Sequence, residues 1–195
     1  MMLPKVFYEE KNVVKVAQNL LGKFLITNLG HGLTSGMIVE TEAYSWRERG
    51  CHAFQGKKTN RNAAMFESGG IRYVYLCYGM YELLNVVTNK EGIGEAVLIR
   101  AVQPTDGQDI MLDRYRTNTL KRITSGPGKL TRALGISRKQ NRVDLTGHEI
   151  WIEDRGVSVK PSQREASARI GLNFDGPDAI LPWRFTIKGN EWVSK

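Results

Sequence analysis

Hydrophobic positions along the chain change period several times, and each change predicts an element. Residues 12–21, NVVKVAQNLL, carry apolar side chains at the three-to-four spacing of a helix, and Gly22 is placed to end it. Short runs rich in β-branched and aromatic residues follow: KFLIT, GMIVETEAY, IRYVYLCY, ELLNVVT and AVLIRAV. Each reads as a strand. Ser68-Gly69-Gly70 and Tyr78-Gly79-Met80 read as turns between them. Residues 107–116 and 127–135 read as short basic helices, the second opening on Ser125-Gly126-Pro127-Gly128. Strands return at HEIWIED, VSVKP and PWRFTIKG. The order lacks a βαβ rhythm. It predicts an α+β fold in which a curved, mostly antiparallel sheet is flanked by short helices, with residues 1–195 forming a single domain.

Composition narrows the setting. The 41% hydrophobic and 25% charged residues are those of a globular protein. The opening residues turn charged before an apolar run develops, and no stretch has membrane-spanning length. Cys51 and Cys77 have neither metal-ligand nor disulfide-framework spacing, so a reducing cytoplasm is the expected address. Charge adds a partner. The 28 lysines and arginines against 20 acids give a net +8. Nine basic residues (114, 116, 121, 122, 129, 132, 138, 139 and 142) run without an acid, and Arg47, Arg49, Lys57, Lys58 and Arg61 form a second group. The two groups either converge on one polyanion-binding face or form separate solvated surfaces. Helix-start amides after Ser125 are suited to a phosphate.

Glu40, Glu42 and Tyr44 alternate along GMIVETEAY, which puts all three on one strand face and Met37, Val39 and Thr41 on the other. Two acids beside an apolar run are costly to bury unless paired or used. His52 follows in a loop with Trp46. Tyr73, Tyr75, Tyr78 and Tyr81 crowd into nine residues, with Tyr78 at the turn, where it suits a wedge between bases or a platform for them. Asn85 and Arg100 sit in or beside apolar strands, where a polar side chain needs a partner. His31, His52 and His148 are scattered without zinc spacing, and no metal or other cofactor is expected. These features leave open a non-catalytic nucleic-acid-binding module and a metal-dependent nuclease holding its ion on Glu40 and Glu42.

The ordered motifs GMIVETEAY, His52, TNRNAAMF, YVYLCYGMYELLNVV, AVLIRA, SGPGKL, ARIGLN and PWRFTIKGNEWVS resemble the bacterial 3-methyladenine (alkyladenine) DNA glycosylases over nearly the whole chain. The resemblance implies a monofunctional enzyme of base-excision repair without lyase activity. It would take double-stranded DNA carrying a damaged purine, act at the nucleoid and need no cofactor. A monomer is the simplest expectation. By the same resemblance Glu42 is the catalytic base and Arg100 helps position its water. Tyr44, His52 and Tyr75 wall the extruded base, and Asn85 screens bases at the pocket edge. Ile170 and Gly171 border the water, and Tyr78 fills the gap left in the helix. Arg47, Lys57, Lys58, Arg61, Lys129 and Arg132 are the expected backbone contacts. The chain departs from the family's pattern in SWRERGC, the loop between Tyr44 and His52. There Arg49-Gly50-Cys51 stands in place of the acid and small residues common before the histidine, so no lesion preference is carried over.

Overall fold

A computed structural model describes residues 1–30 and 32–195; His31, one of the three histidines weighed as metal ligands, lies outside them. The chain opens with helices α1 (Lys5–Tyr8) and α2 (Val13–Leu20), then strands β1 (Phe24–Asn28), β2 (Leu33–Ser45), β3 (Arg72–Cys77), β4 (Tyr81–Val87) and β5 (Glu95–Pro104). Helices α3 (Gln108–Tyr115) and α4 (Pro127–Leu134) precede β6 (Ile150–Glu153), β7 (Arg164–Ser167) and β8 (Arg184–Ile187). All strand pairings are antiparallel, in the order β3-β4-β5-β2-β1-β6, with β8 joining β2 to β7. The architecture is the expected α+β arrangement, a curled antiparallel sheet with short helices against it.

Helix α2 shows why the local reading works. The Asn12 side chain accepts from the Lys15 amide at 3.2 Å and caps the first turn. Val13, Val16, Ala17 and Leu20 are buried at the spacing of one helical stripe. Gly22, at φ 82°, then turns the chain into β1, close under Val157 and Val159.

Strand β2 positions the site. One edge pairs along its length with β5; the other pairs first with β1 and then, from Glu40 to Glu42, with β8. Register shifts on both sides of Glu40 mark a β-bulge at this fork. The bulge changes which residues face α2. Thr41 Oγ1 donates to Ala17 O at 2.9 Å, and Ile38 and Ala43 join the core cluster that contains Val16, Ala17 and Leu20. The strict alternation that grouped Met37 and Val39 with Thr41 therefore holds only from Glu40 onward.

The expected strand at VSVKP is absent. Val157 and Val159 instead cover Gly22, Lys160 N donates to Gln163 Oε1 at 2.8 Å, and a short 3-10 turn at Pro161–Gln163 delivers the chain into β7. Alternating valines need a neighbouring strand to become one, and here their side chains find a glycine instead.

Candidate active site

The two acids of ETEAY have different surroundings. Glu40 accepts four hydrogen bonds: from Arg100 Nε at 2.8 Å, Arg184 Nε at 2.7 Å, Ser194 Oγ at 2.8 Å and Ser194 N at 2.7 Å. Three of these bonds fall on Oε1 and one on Oε2, and two of the partners, Arg184 and Ser194, come from the far end of the chain. Burial opposes its ionisation, but Arg100, the Ser194 amide and Arg184 hold its pKa below the ordinary 4.5. Glu42 is also fully buried. Its Oε1 accepts from Ile170 N at 2.8 Å and its Oε2 from the Tyr44 hydroxyl at 2.7 Å, while Arg100 Nη1 lies 3.3 Å from Oε2.

Arg100, on β5, binds both acids. Burial works against its charge, but Glu42 and Glu40 together raise its pKa, so it remains a cation. Tyr44 stays a phenol: burial first and the Glu42 charge second push its pKa well up.

These groups meet a cleft of about 850 Å³. Tyr44, His52, Tyr75, Tyr78, Asn85, Arg100, Ile170 and Gly171 all line it, and Glu42 joins it through Tyr44 and Ile170. His52 and Tyr75 stand edge to face with centroids 4.8 Å apart, and Tyr75 stacks on Tyr73 at 5.2 Å. His52 Nδ1 lies 2.9 Å from the Tyr73 hydroxyl. The tyrosine wall shields one side of the imidazole and Arg61 adds positive charge, and both lower its pKa; its cleft side remains open. Asn85, paired in register with Tyr73, donates Nδ2 to that residue's carbonyl at 3.1 Å. Tyr78 stands 74% exposed at the tip of the β3–β4 hairpin with φ 50°.

A family model described as Methylpurine-DNA glycosylase (MPG) matches residues 6–191. The chain belongs to this family. Proteins of Chlamydia felis, Methanocella arvoryzae and Carboxydothermus hydrogenoformans, each named "Putative 3-methyladenine DNA glycosylase", are similar to it along its whole length. The first is 40% identical over 189 residues, covering 95% of this chain and 96% of its own. The second is 45% identical over 197 residues (100% and 96%), and the third 44% over 195 (100% of both). Such coverage assigns every strand of the sheet, and not one motif, to the methylpurine-DNA glycosylase family.

Around the cleft, the basic residues divide. Lys129, from the first group, and Arg61, from the second, line the same cleft, so the two groups converge there. Arg61 lies over the Tyr75 ring at 5.3 Å. Arg47, Lys57, Lys58 and Arg132 do not line the cleft. Arg47 stacks on Trp46, Lys58 faces Phe66 and Arg132 covers Tyr115. Among the described residues no group of three or more His, Cys, Asp or Glu side chains could hold a metal ion, and no helix is long and apolar enough to cross a membrane.

Several contributors carried no sequence signal of their own. Arg184 and Ser194 hold Glu40. Asn62 Nδ2 donates to His52 O at 2.7 Å and Lys57 O at 2.9 Å, holding the loop behind the histidine. Glu48, in the loop that departs from the glycosylase pattern, makes a buried bidentate pair with Arg169 at 2.6 and 2.7 Å.

Proposed function

We propose that this protein is a monofunctional DNA glycosylase that rotates damaged purines out of duplex DNA and hydrolyses their N-glycosidic bond. Its substrates are of the 3-methyladenine, 7-methylguanine, hypoxanthine and ethenoadenine class. The observation that carries the reading is the contrast between the acids: two of Glu40's partners, Arg184 and Ser194, lie off the cleft, whereas every partner of Glu42 (Tyr44, Arg100 and Ile170) lines it.

An extruded nucleotide enters the cleft, and Tyr78 fills the stack it leaves, offsetting part of an extrusion cost of a few kcal/mol. The C1′–N bond breaks with its electron pair going to the base, and positive charge develops on the sugar. Water bound to Glu42 attacks C1′ as its proton passes to the carboxylate, giving the free base and an abasic site. Arg100 orients the water, and the Glu42 charge stabilises the cationic sugar. Cationic alkylpurines leave without further help, and neutral lesions leave after protonation. A metal-dependent nuclease reading is disfavoured by Arg100, whose guanidinium already binds both carboxylates that would hold the ion.

The test is base release from a labelled duplex carrying one hypoxanthine or ethenoadenine, with methylated DNA as a second substrate, assayed with chelator and developed with alkali. Wild type is expected to release the base in chelator, Glu42→Gln to bind the lesion without releasing it, and folded Glu40→Gln to retain release. Tight DNA binding without release from any lesion would mean a binding module, and activity abolished by chelator would mean a metal enzyme.

A further inference from the structure

The segment that gives Glu42 its backbone donor is held in an unusual way. From Lys160 to Arg184 a single residue, Arg169, is buried, and residues 168–183 form no helix or strand. The anchor of this stretch is thus a guanidinium and not an apolar side chain. Arg169 Nη1 donates to Glu48 Oε1 at 2.6 Å and to Ala43 O at 3.0 Å; Nη2 donates to Glu48 Oε2 at 2.7 Å and to Asp178 O at 3.0 Å. The same guanidinium lies over the Tyr44 ring at 4.7 Å and the Trp183 ring at 5.5 Å. Glu48 Oε2 also accepts from Gly50 N at 2.6 Å, and a Cβ on Gly50 would sit 2.9 Å from that oxygen and 3.1 Å from Arg169 Nη2. One cation therefore joins β2, the loop that carries His52 and the segment whose next residue, Ile170, donates to Glu42.

We propose that Arg169, locked by Glu48, is the positioning residue that holds the Ile170 amide on Glu42 and the Tyr44 ring at the cleft. This rests on Glu42 being the group that activates water. A planar bidentate fork fixes direction as well as distance, which a lysine at the same place does not. Its loss lets the Ile170 amide drift while the DNA-facing residues Arg61, Lys129 and Tyr78 stay where they are, so the chemical step suffers and binding does not.

The experiment compares wild type, Arg169→Lys and the double variant Glu48→Gln/Arg169→Met, the last leaving no unpaired buried charge. Each is checked for folding by thermal unfolding and assayed for kcat and KM on the lesion duplex. Both variants are expected to lose about 10- to 100-fold in kcat, with KM within about threefold of wild type. A folded double variant with wild-type kcat overturns the proposal, as does a defect confined to KM. Where a variant does not fold, hydrogen exchange on wild type decides: the Ile170 amide is expected to be protected although that residue is 42% exposed, and free exchange there overturns the proposal. Wild type that releases no base would refute the Glu42 reading itself, whereas active wild type with equally active variants refutes only the role of Arg169.

Discussion

Glu40 and Glu42 are the same residue type two positions apart on one strand, and their neighbours divide their work. Glu40 sits between Arg100, Arg184 and Ser194 and accepts four hydrogen bonds from them, which suits a structural tie. Removing one partner from such a buried cluster leaves arginine charge uncompensated, so Glu40→Gln should cost about 3 kcal/mol of stability at neutral pH. The sign with pH follows from its lowered pKa. A carboxyl ionised more readily when folded stabilises the protein above the ordinary 4.5, and that contribution fades as pH falls through the folded value. Urea unfolding should therefore show the gap between wild type and Glu40→Gln narrowing as the pH drops below 4.5. A gap that widens on acidification would contradict this account of the tie. The alternation in ETEAY put both acids and Tyr44 on one face, but it could not rank the acids, because Glu40's partners lie 60 to 154 residues away and the Ile170 amide lies 128 from Glu42.

At the scale of elements, the β3–β4 hairpin does the most with the least packing. Its strands bury Tyr73, Val74, Leu83 and Leu84, while its tip projects Tyr78 and Met80 at 74% and 70% exposure. Tyr78 takes a left-handed backbone at φ 50°, followed by Gly79 at φ 70°, which lets the turn present the ring outward. A side chain so exposed contributes little to folding, so Tyr78→Ala should change stability by less than about 0.5 kcal/mol. If the ring wedges the helix open, the same change should lower kcat/KM on a lesion duplex by about tenfold, the order expected when part of the extrusion cost is no longer offset. Equal kcat/KM in the two proteins would remove the wedge from the mechanism. This turn was legible from Tyr78-Gly79-Met80 because its signal is local. The bulge at Glu40 was not, since it arises where β1 gives way to β8 along one edge of β2.

Across the whole molecule, the +8 net charge becomes specific through geometry. Arg61 and Lys129 come from basic groups far apart in the chain and line one cleft, whereas Arg47, Lys57, Lys58 and Arg132 lie off it. If the first two meet phosphates, Arg61→Ala and Lys129→Ala should each reduce the slope of log affinity against log salt by about 1. Fluorescence anisotropy on a labelled duplex reads that slope directly. An unchanged slope in both variants would place the DNA backbone elsewhere on the protein.

The sequence by itself determined what short-range physics can determine. Helical spacing ended by Gly22 marked α2, alternating β-formers marked the main strands, and glycine-rich turns marked their ends. A run of ordered motifs identified the family and the residues to watch. Tertiary structure alone decided that VSVKP is not a strand, that Glu42 and not Glu40 finds all its partners on the cleft wall, and that Glu48 pairs with Arg169. Those outcomes depend on which distant groups reach a given carboxylate: Ile170 is 128 residues from Glu42, and Arg184 is 144 from Glu40. Hydrogen-bond donors at such separations leave no periodicity in the chain. The pairing of β8 with β2 brings Arg184 within reach of Glu40.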